Sequence, residues 1–202
     1  MKPIAVLSCL LFLSCCLHAQ WVFGPKAGLN IGKEKYGNNF YSTGSHLFFC
    51  GGFFAGYAFK KHLAAQAELQ YSGEGTSERY MGNNTAVTGV VTINRLNIPL
   101  LFQYRTDMGA YFETGPQLGL LLSAKGKYTT GSYDFKPYTQ TLLFSWCLGA
   151  GYQLTKAVPG LGINARYAPG LNEVSKGTVS AKTIRSTVFS ITAFYAWPLK
   201  KK

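Results

Sequence analysis

Charge is scarce in this 202-residue chain: 14% of residues are charged, against about 25% in an ordinary soluble domain. Acid is scarcer still, with 8 Asp and Glu against 20 Lys and Arg and a formal net charge of +12. A soluble domain that coats its surface with Lys and Glu does not have this composition. Long apolar runs are also missing. After the N-terminal segment none approaches the roughly 18 residues that a membrane helix requires, which excludes a helical membrane protein. No Gly-rich phosphate loop leads into a helix, and no helix is predicted. The 3 histidines form no cluster with Cys or carboxylates at metal-ligand spacing, so no metal or other cofactor is expected. Of 5 cysteines, Cys9, Cys15 and Cys16 sit in the N-terminal segment. Cys50 and Cys147 fall in separate predicted strands, whereas a disulfide needs Cα atoms within about 7 Å. Both are expected to be free, small and buried.

The N-terminal segment reads as a secretory signal over residues 1–19. Lys2 supplies the positive start, Ile4 to Leu17 is apolar but short for a membrane span, and Leu17-His18-Ala19 ends on a small residue. The mature domain then runs over 20–202. Leu13-Ser14-Cys15 loosely matches a lipoprotein site, a rival that a barrel does not need. Export makes nucleic acid an odd partner for the basic charge; anionic lipid surfaces are the natural one.

What the mature chain has is period-2 alternation, the strand signature. Leu63, Ala65, Ala67, Leu69 and Tyr71 alternate with Ala64, Gln66, Glu68, Gln70, Ser72 and Glu74. Leu96, Ile98, Leu100, Phe102 and Tyr104 alternate with Arg95, Asn97, Pro99, Leu101, Gln103 and Arg105. Further strands are expected over 22–31, 47–59, 110–124, 142–153, 161–168 and 187–197. That makes eight strands, each about as long as a tilted membrane strand must be. The connections 60–62, 106–109 and 155–160 are short; 32–46, 73–92, 125–141 and 170–186 are long and polar. Short inner turns with long external loops characterise outer-membrane barrels. The expected fold is an all-β, eight-stranded antiparallel up-and-down transmembrane barrel.

Alternation alone does not say which face is inside, because a soluble lipocalin-like barrel also has eight strands. The polar face carries Gln, Asn, Gly and Ser with few charges, which suits a narrow lumen. The apolar face carries Leu, Ile, Phe and the rings of Tyr57, Tyr71, Tyr104, Trp146, Tyr152, Tyr167, Tyr195 and Trp197, in the manner of interfacial girdles. The apolar face is therefore expected to point outward. Lys26, Glu68, Arg95, Arg105, Glu113 and Arg166 then face the lumen, and buried charges need partners. An ion network filling the barrel is the plain reading; a proton or ion path is the functional one. Eight strands leave a lumen that side chains fill, which argues against a solute pore.

The segments FGPKAGLNI, AAQAELQYSGEG, LNIPLLFQY, ETGPQLGLLLSAK, LGAGYQL and INARYAPGLNEV, in this order and spacing, resemble the porin-family outer-membrane β-barrel domain, a PorT-like group of Gram-negative bacteria. The resemblance spans essentially the whole mature chain. It implies an outer-membrane barrel of eight strands, with some relatives linked to protein secretion. The C-terminus departs from the usual pattern: Trp197 is followed by Pro198, Leu199 and three lysines instead of ending the strand on an aromatic residue.

Three roles stay open. External loops are the natural place for recognition on a rigid barrel, and here they carry Lys33, Lys35, Arg79, Lys125, Lys127, Tyr133, Lys136, Lys176 and Lys182. A structural or surface-binding role through these groups would engage outer-membrane lipid, lipopolysaccharide phosphates, or a surface or secretion partner protein. A narrow channel or secretion accessory is the alternative. A lipid-modifying enzyme is the third, resting on His46, Ser72 and Glu74 meeting at the external rim; ordinary polar rim residues would explain the same three.

Overall fold

The computed structural model describes residues 20–35, 42–44, 46–82, 85–155, 158–175 and 185–198. The candidate signal segment, Lys176 and Lys182 lie outside the described residues, and so do the side chains of Lys33 and Lys35. The strands are β1 (Gln20–Lys35), β2 (Ser42–Gly44), β3 (His46–Lys60), β4 (Leu63–Gly82), β5 (Thr85–Arg105), β6 (Ala110–Tyr128), β7 (Gly131–Asp134), β8 (Leu142–Gln153), β9 (Leu161–Pro169), β10 (Arg185–Tyr195) and β11 (Trp197–Pro198). Eight of them run β10-β9-β8-β6-β5-β4-β3-β1 in antiparallel order, and β10 pairs again with β1 to close a barrel.

Outward positions are apolar and exposed, as at Phe53 (69% exposed), Phe112 (61%) and Ile163 (63%), while Arg95 inside is 0% exposed. Water would disfavour such an exterior; lipid stabilises it. Near the short turns the outward rings touch in series: Trp21 against Tyr57, Tyr57 against Phe59, Phe23 against Trp197 and Tyr195 against Trp197. The turn after β5 closes on Gly109, whose φ of +95° suits a residue without a Cβ.

Several expected loops are strand instead. β4 has 20 residues and β5 has 21, about twice the 9–11 that a membrane strand needs. The segment 73–92, expected as a loop, is the far half of a continuous hairpin paired from Gly82↔Thr85 inward. β1 continues to Lys35, β6 to Tyr128, and β10 begins at Arg185. A one-turn 3-10 helix at Lys136–Tyr138 stands where no helix was predicted. The last strand stops at Tyr195, and Trp197–Pro198 forms a separate pairing with Val22 and Phe23.

The polarity of the wall reverses along β5. Between Arg95 and Arg105, inward positions of β5 are mostly polar and outward ones apolar. Between Val87 and Ile93 the buried residues are Val87, Val91 and Ile93, and the outward ones include Thr88 and Thr92. The switch falls at Asn94/Arg95, where the β5–β6 register shifts: Asn94 faces Ser123 while Arg95 faces Leu121. The extra residue in β6 is a bulge, which re-aims the side chains that follow. Beyond it the wall continues as a five-stranded sheet, β2-β4-β5-β6-β7.

Candidate functional site

The lumen holds two polar clusters between two apolar layers. At the short-turn end Phe54, Tyr111, Phe194 and Ala196 pack together, joined by Val22. At the far end Val91, Ile93, Leu121, Ala124, Leu143 and Val174 form a cap, with Tyr128 and Phe135 against it.

Between them lies an ionic quartet. Lys26 comes from β1, Glu68 from β4, Glu113 from β6 and Arg166 from β9; alternation turns each of them inward. Arg166 Nη1 and Nη2 donate to Glu68 Oε2 and Oε1 at 2.9 and 2.7 Å. Its Nε donates to Glu113 Oε1 at 2.9 Å. Lys26 Nζ donates to Glu68 Oε1 at 3.1 Å and to Asn164 Oδ1 at 3.2 Å. Gln66 donates to Glu68 at 2.8 Å, Asn164 to Glu113 at 3.1 Å and Gln103 to Glu113 at 3.0 Å. Two cations thus meet two carboxylates, and the amides supply further donors. Such satisfaction is what a buried ion cluster requires. The glycines of β8 make room for it: a Cβ on Gly149 would stand 2.8 Å from Glu113 Oε1.

Neither Arg105 nor Arg95, expected in one lumen network with the other four charges, bonds directly to the quartet; Arg105 joins it through Gln103, and Arg95 sits in a separate cluster. Arg105 is half-buried toward the short-turn end and reaches Glu113 only through Gln103, donating to its Oε1 at 3.1 and 2.7 Å. A cavity of about 10 Å³ there, lined among others by Lys26, Gln66, Gln103, Arg105 and Tyr111, has room for about one water. Arg95 belongs to a second cluster beneath the far cap, with Nε 3.6 Å from Glu74 Oε2. Asn97 and Ser72 donate to Glu74 Oε1 at 3.1 and 3.0 Å, and Asn30 donates to Ser72 Oγ at 2.8 Å.

That cluster disposes of the His46, Ser72 and Glu74 grouping. Ser72 pairs with Cys50, two positions along the inward face past Phe48 from His46. His46 is exposed and rests its ring on Phe48, whereas Ser72 and Glu74 are buried and engaged with each other. Glu74, expected in an external loop, is therefore a lumen residue. Its place was legible as the next alternate position after Gln66, Glu68, Gln70 and Ser72. Cys50 and Cys147 are free and buried.

Among the described external candidates, Arg79, Lys125, Lys127 and Tyr133 sit on the sheet extension and not on open loops. Arg79 is exposed on β4 opposite Thr88, and Lys125 and Lys127 are exposed on the outward face of β6. Tyr133 lies on β7 with its ring edge-on to Tyr128, and Lys136 opens the 3-10 helix. Asp134 stands opposite Lys125, and its Oδ1 accepts the Lys136 backbone N–H at 2.9 Å. On the short turns Lys61 Nζ lies 2.9 Å from Asp107 in an exposed pair, and this hydrogen bond holds the Asp107 carboxyl below its ordinary range.

Three solved structures are similar to the chain at low identity. Neisserial surface protein A is 16% identical, with 88% of this chain and 97% of that one covered and a TM-score of 0.49. Ail of Yersinia pestis, in complex with the heparin analogue sucrose octasulfate, is 15% identical over 88% and 99%, with a TM-score of 0.43. OprG of Pseudomonas aeruginosa is 10% identical over 91% and 97%, with a TM-score of 0.42. No curated protein matches the chain. The model of the outer membrane protein beta-barrel domain matches residues 18–176; with a closed eight-stranded barrel, an apolar exterior and a polar lumen, the chain belongs to this family and resides in the outer membrane.

Proposed function

We propose that this protein is a sealed, non-conducting barrel whose role is structural or surface-binding and is exercised at its external face. The observation that carries the reading is the double closure of the lumen. Apolar residues pack at both ends, Arg105 and Gln103 fill the short-turn end beside them, and between the ends the quartet crosses the barrel. Among the described residues no chain of exposed polar groups links the two sides, so an ion would have to break charge-assisted bonds to pass. What remains available is the sheet extension, a rigid platform carrying cations and tyrosines. Its partners are outer-membrane lipid and lipopolysaccharide, with a surface or secretion protein as the second class. The segments quoted above support a PorT-like position within the family, and the signal segment is proposed to be cleaved after Ala19.

Planar-bilayer recording of the refolded protein tests this. Silence is expected, and steady unitary conductance would replace the reading with a narrow channel. Excising residues 77–90 should leave a barrel that still shifts on boiling in gel electrophoresis.

A further inference from the structure

The polarity reversal fixes where the membrane ends, and a set of cations stands just past that line. Leu122, the extra residue of the bulge, is the last apolar outward residue of β6, and Lys125 and Lys127 come next on the same face. Their neighbours across the sheet are Thr92 and Val90 on β5, and Asp134 and Ser132 on β7. Outward Asn94 donates to Ser123 Oγ at 2.9 Å at the line itself. Residues two apart on a strand are roughly 7 Å apart, and two strands separate β4 from β6 by roughly 10 Å. Arg79 therefore joins the lysines on one outward face. None of the three forms an ion pair among the described residues. Asp134, the nearest carboxylate in register, is engaged by the Lys136 amide.

Resting on the surface-binding reading, we propose that Lys125 and Lys127, with Arg79 above them, form a site for the phosphate groups of an outer-leaflet glycolipid. Charge complementarity selects a phosphate, because ammonium and guanidinium groups bind it by charge-assisted hydrogen bonds. Depth selects a lipid as its bearer. The lysines begin where the apolar band stops, which is the level of a lipid headgroup, and their side chains project from the outer wall into the surrounding leaflet instead of into a pocket. Thr92 and Ser132 beside them offer hydroxyl donors at the same level.

The test uses the full-length protein in vesicles of zwitterionic phospholipid doped with lipid A, either phosphorylated or enzymatically dephosphorylated. Lipid retained by the purified barrel is counted by native mass spectrometry for the wild type, K125Q/K127Q and K125R/K127R. Boiling-dependent gel mobility checks that each variant is folded. The expected result is a roughly tenfold or greater loss of phosphorylated lipid A in K125Q/K127Q, retention in K125R/K127R, and an equal loss in the wild type when the phosphates are removed. Equal retention by wild type and K125Q/K127Q would overturn the proposal. So would indifference to dephosphorylation. Displacement by millimolar inorganic phosphate would reassign the site to a soluble anion and overturn the lipid. Conductance decides the sealed-barrel reading separately, so a silent barrel with unchanged lipid retention removes only this site.

Discussion

Arg166 holds Glu68 with both arms of its guanidinium, at 2.9 and 2.7 Å, across the full width of the barrel. β9 and β4 are four strands apart in a ring of eight, so the pair ties opposite walls together. Arg166 keeps Glu113 and Glu68 keeps Lys26 when the other is removed, but the quartet is then left with one unbalanced charge in the interior. Arg166→Met or Glu68→Gln is expected to cost about 3–5 kcal/mol, read as a lower urea midpoint in vesicles. The double variant R166M/E68Q should recover part of this loss, since Lys26 and Glu113 then balance each other. A double variant as unstable as the sum of the singles would mean the pair is not coupled.

Gly149 sits where a side chain would meet Glu113 Oε1 at 2.8 Å. Gly149→Ala should push the carboxylate off Arg166 and destabilise the barrel by about 1–3 kcal/mol. Ala150→Gly, one residue along on the outward face, removes only a lipid-facing methyl and should cost less than Gly149→Ala. Unfolding of the two variants side by side gives the comparison.

The lipid-facing band predicts a depth dependence. Leu100 lies midway along the outward run from Leu96 to Tyr104, and Leu122 at its far edge. Leu100→Arg should cost about 2–4 kcal/mol and Leu122→Arg about 0–1 kcal/mol. Equal costs at the two positions would show that the band is misplaced.

Asp107 gives a pH prediction outside the membrane. Its hydrogen bond from Lys61 lowers the folded-state pKa below that of the unfolded chain. Any stability it contributes is present above the unfolded value and fades as pH falls through the folded one. In Lys61→Ala the carboxyl should titrate at higher pH, seen by NMR of the side-chain carbon. The exposed pair is screened, so the unfolding midpoint at neutral pH should not move.

The barrel was legible because lipid on one side and side chains on the other enforce strict alternation, as from Leu63 to Glu74. The hairpin beyond it was not, for a physical reason. Past Asn94 the solvent outside changes from lipid to water, so Val91 and Ile93 turn inward while Thr92 turns out. A search that follows one apolar face loses the strand there and reports a loop. The inward charges could be read one by one, but their grouping could not. Neighbours in the ring are set by register: Arg166 reaches Glu68 across 98 positions of sequence, and Arg95 finds Glu74 through the β4–β5 pairing. Among the external candidates, Arg79, Lys125 and Lys127 were identifiable as cations, yet their common outward face depends on the bulge at Leu121–Ser123.

The reversal at Asn94 also works as a depth gauge. A shift of the barrel along the membrane normal, in either direction, puts the wrong chemistry into the wrong solvent on β5 and β6: Lys125 would sink among acyl chains, or Leu96 and Leu122 would rise into water. The band on β5 from Leu96 to Tyr104 covers nine residues, roughly 20–25 Å of height at the tilt of such strands. The protein has little freedom to float, so a thicker bilayer must thin around it, and each copy carries a collar of leaflet cut to its own height.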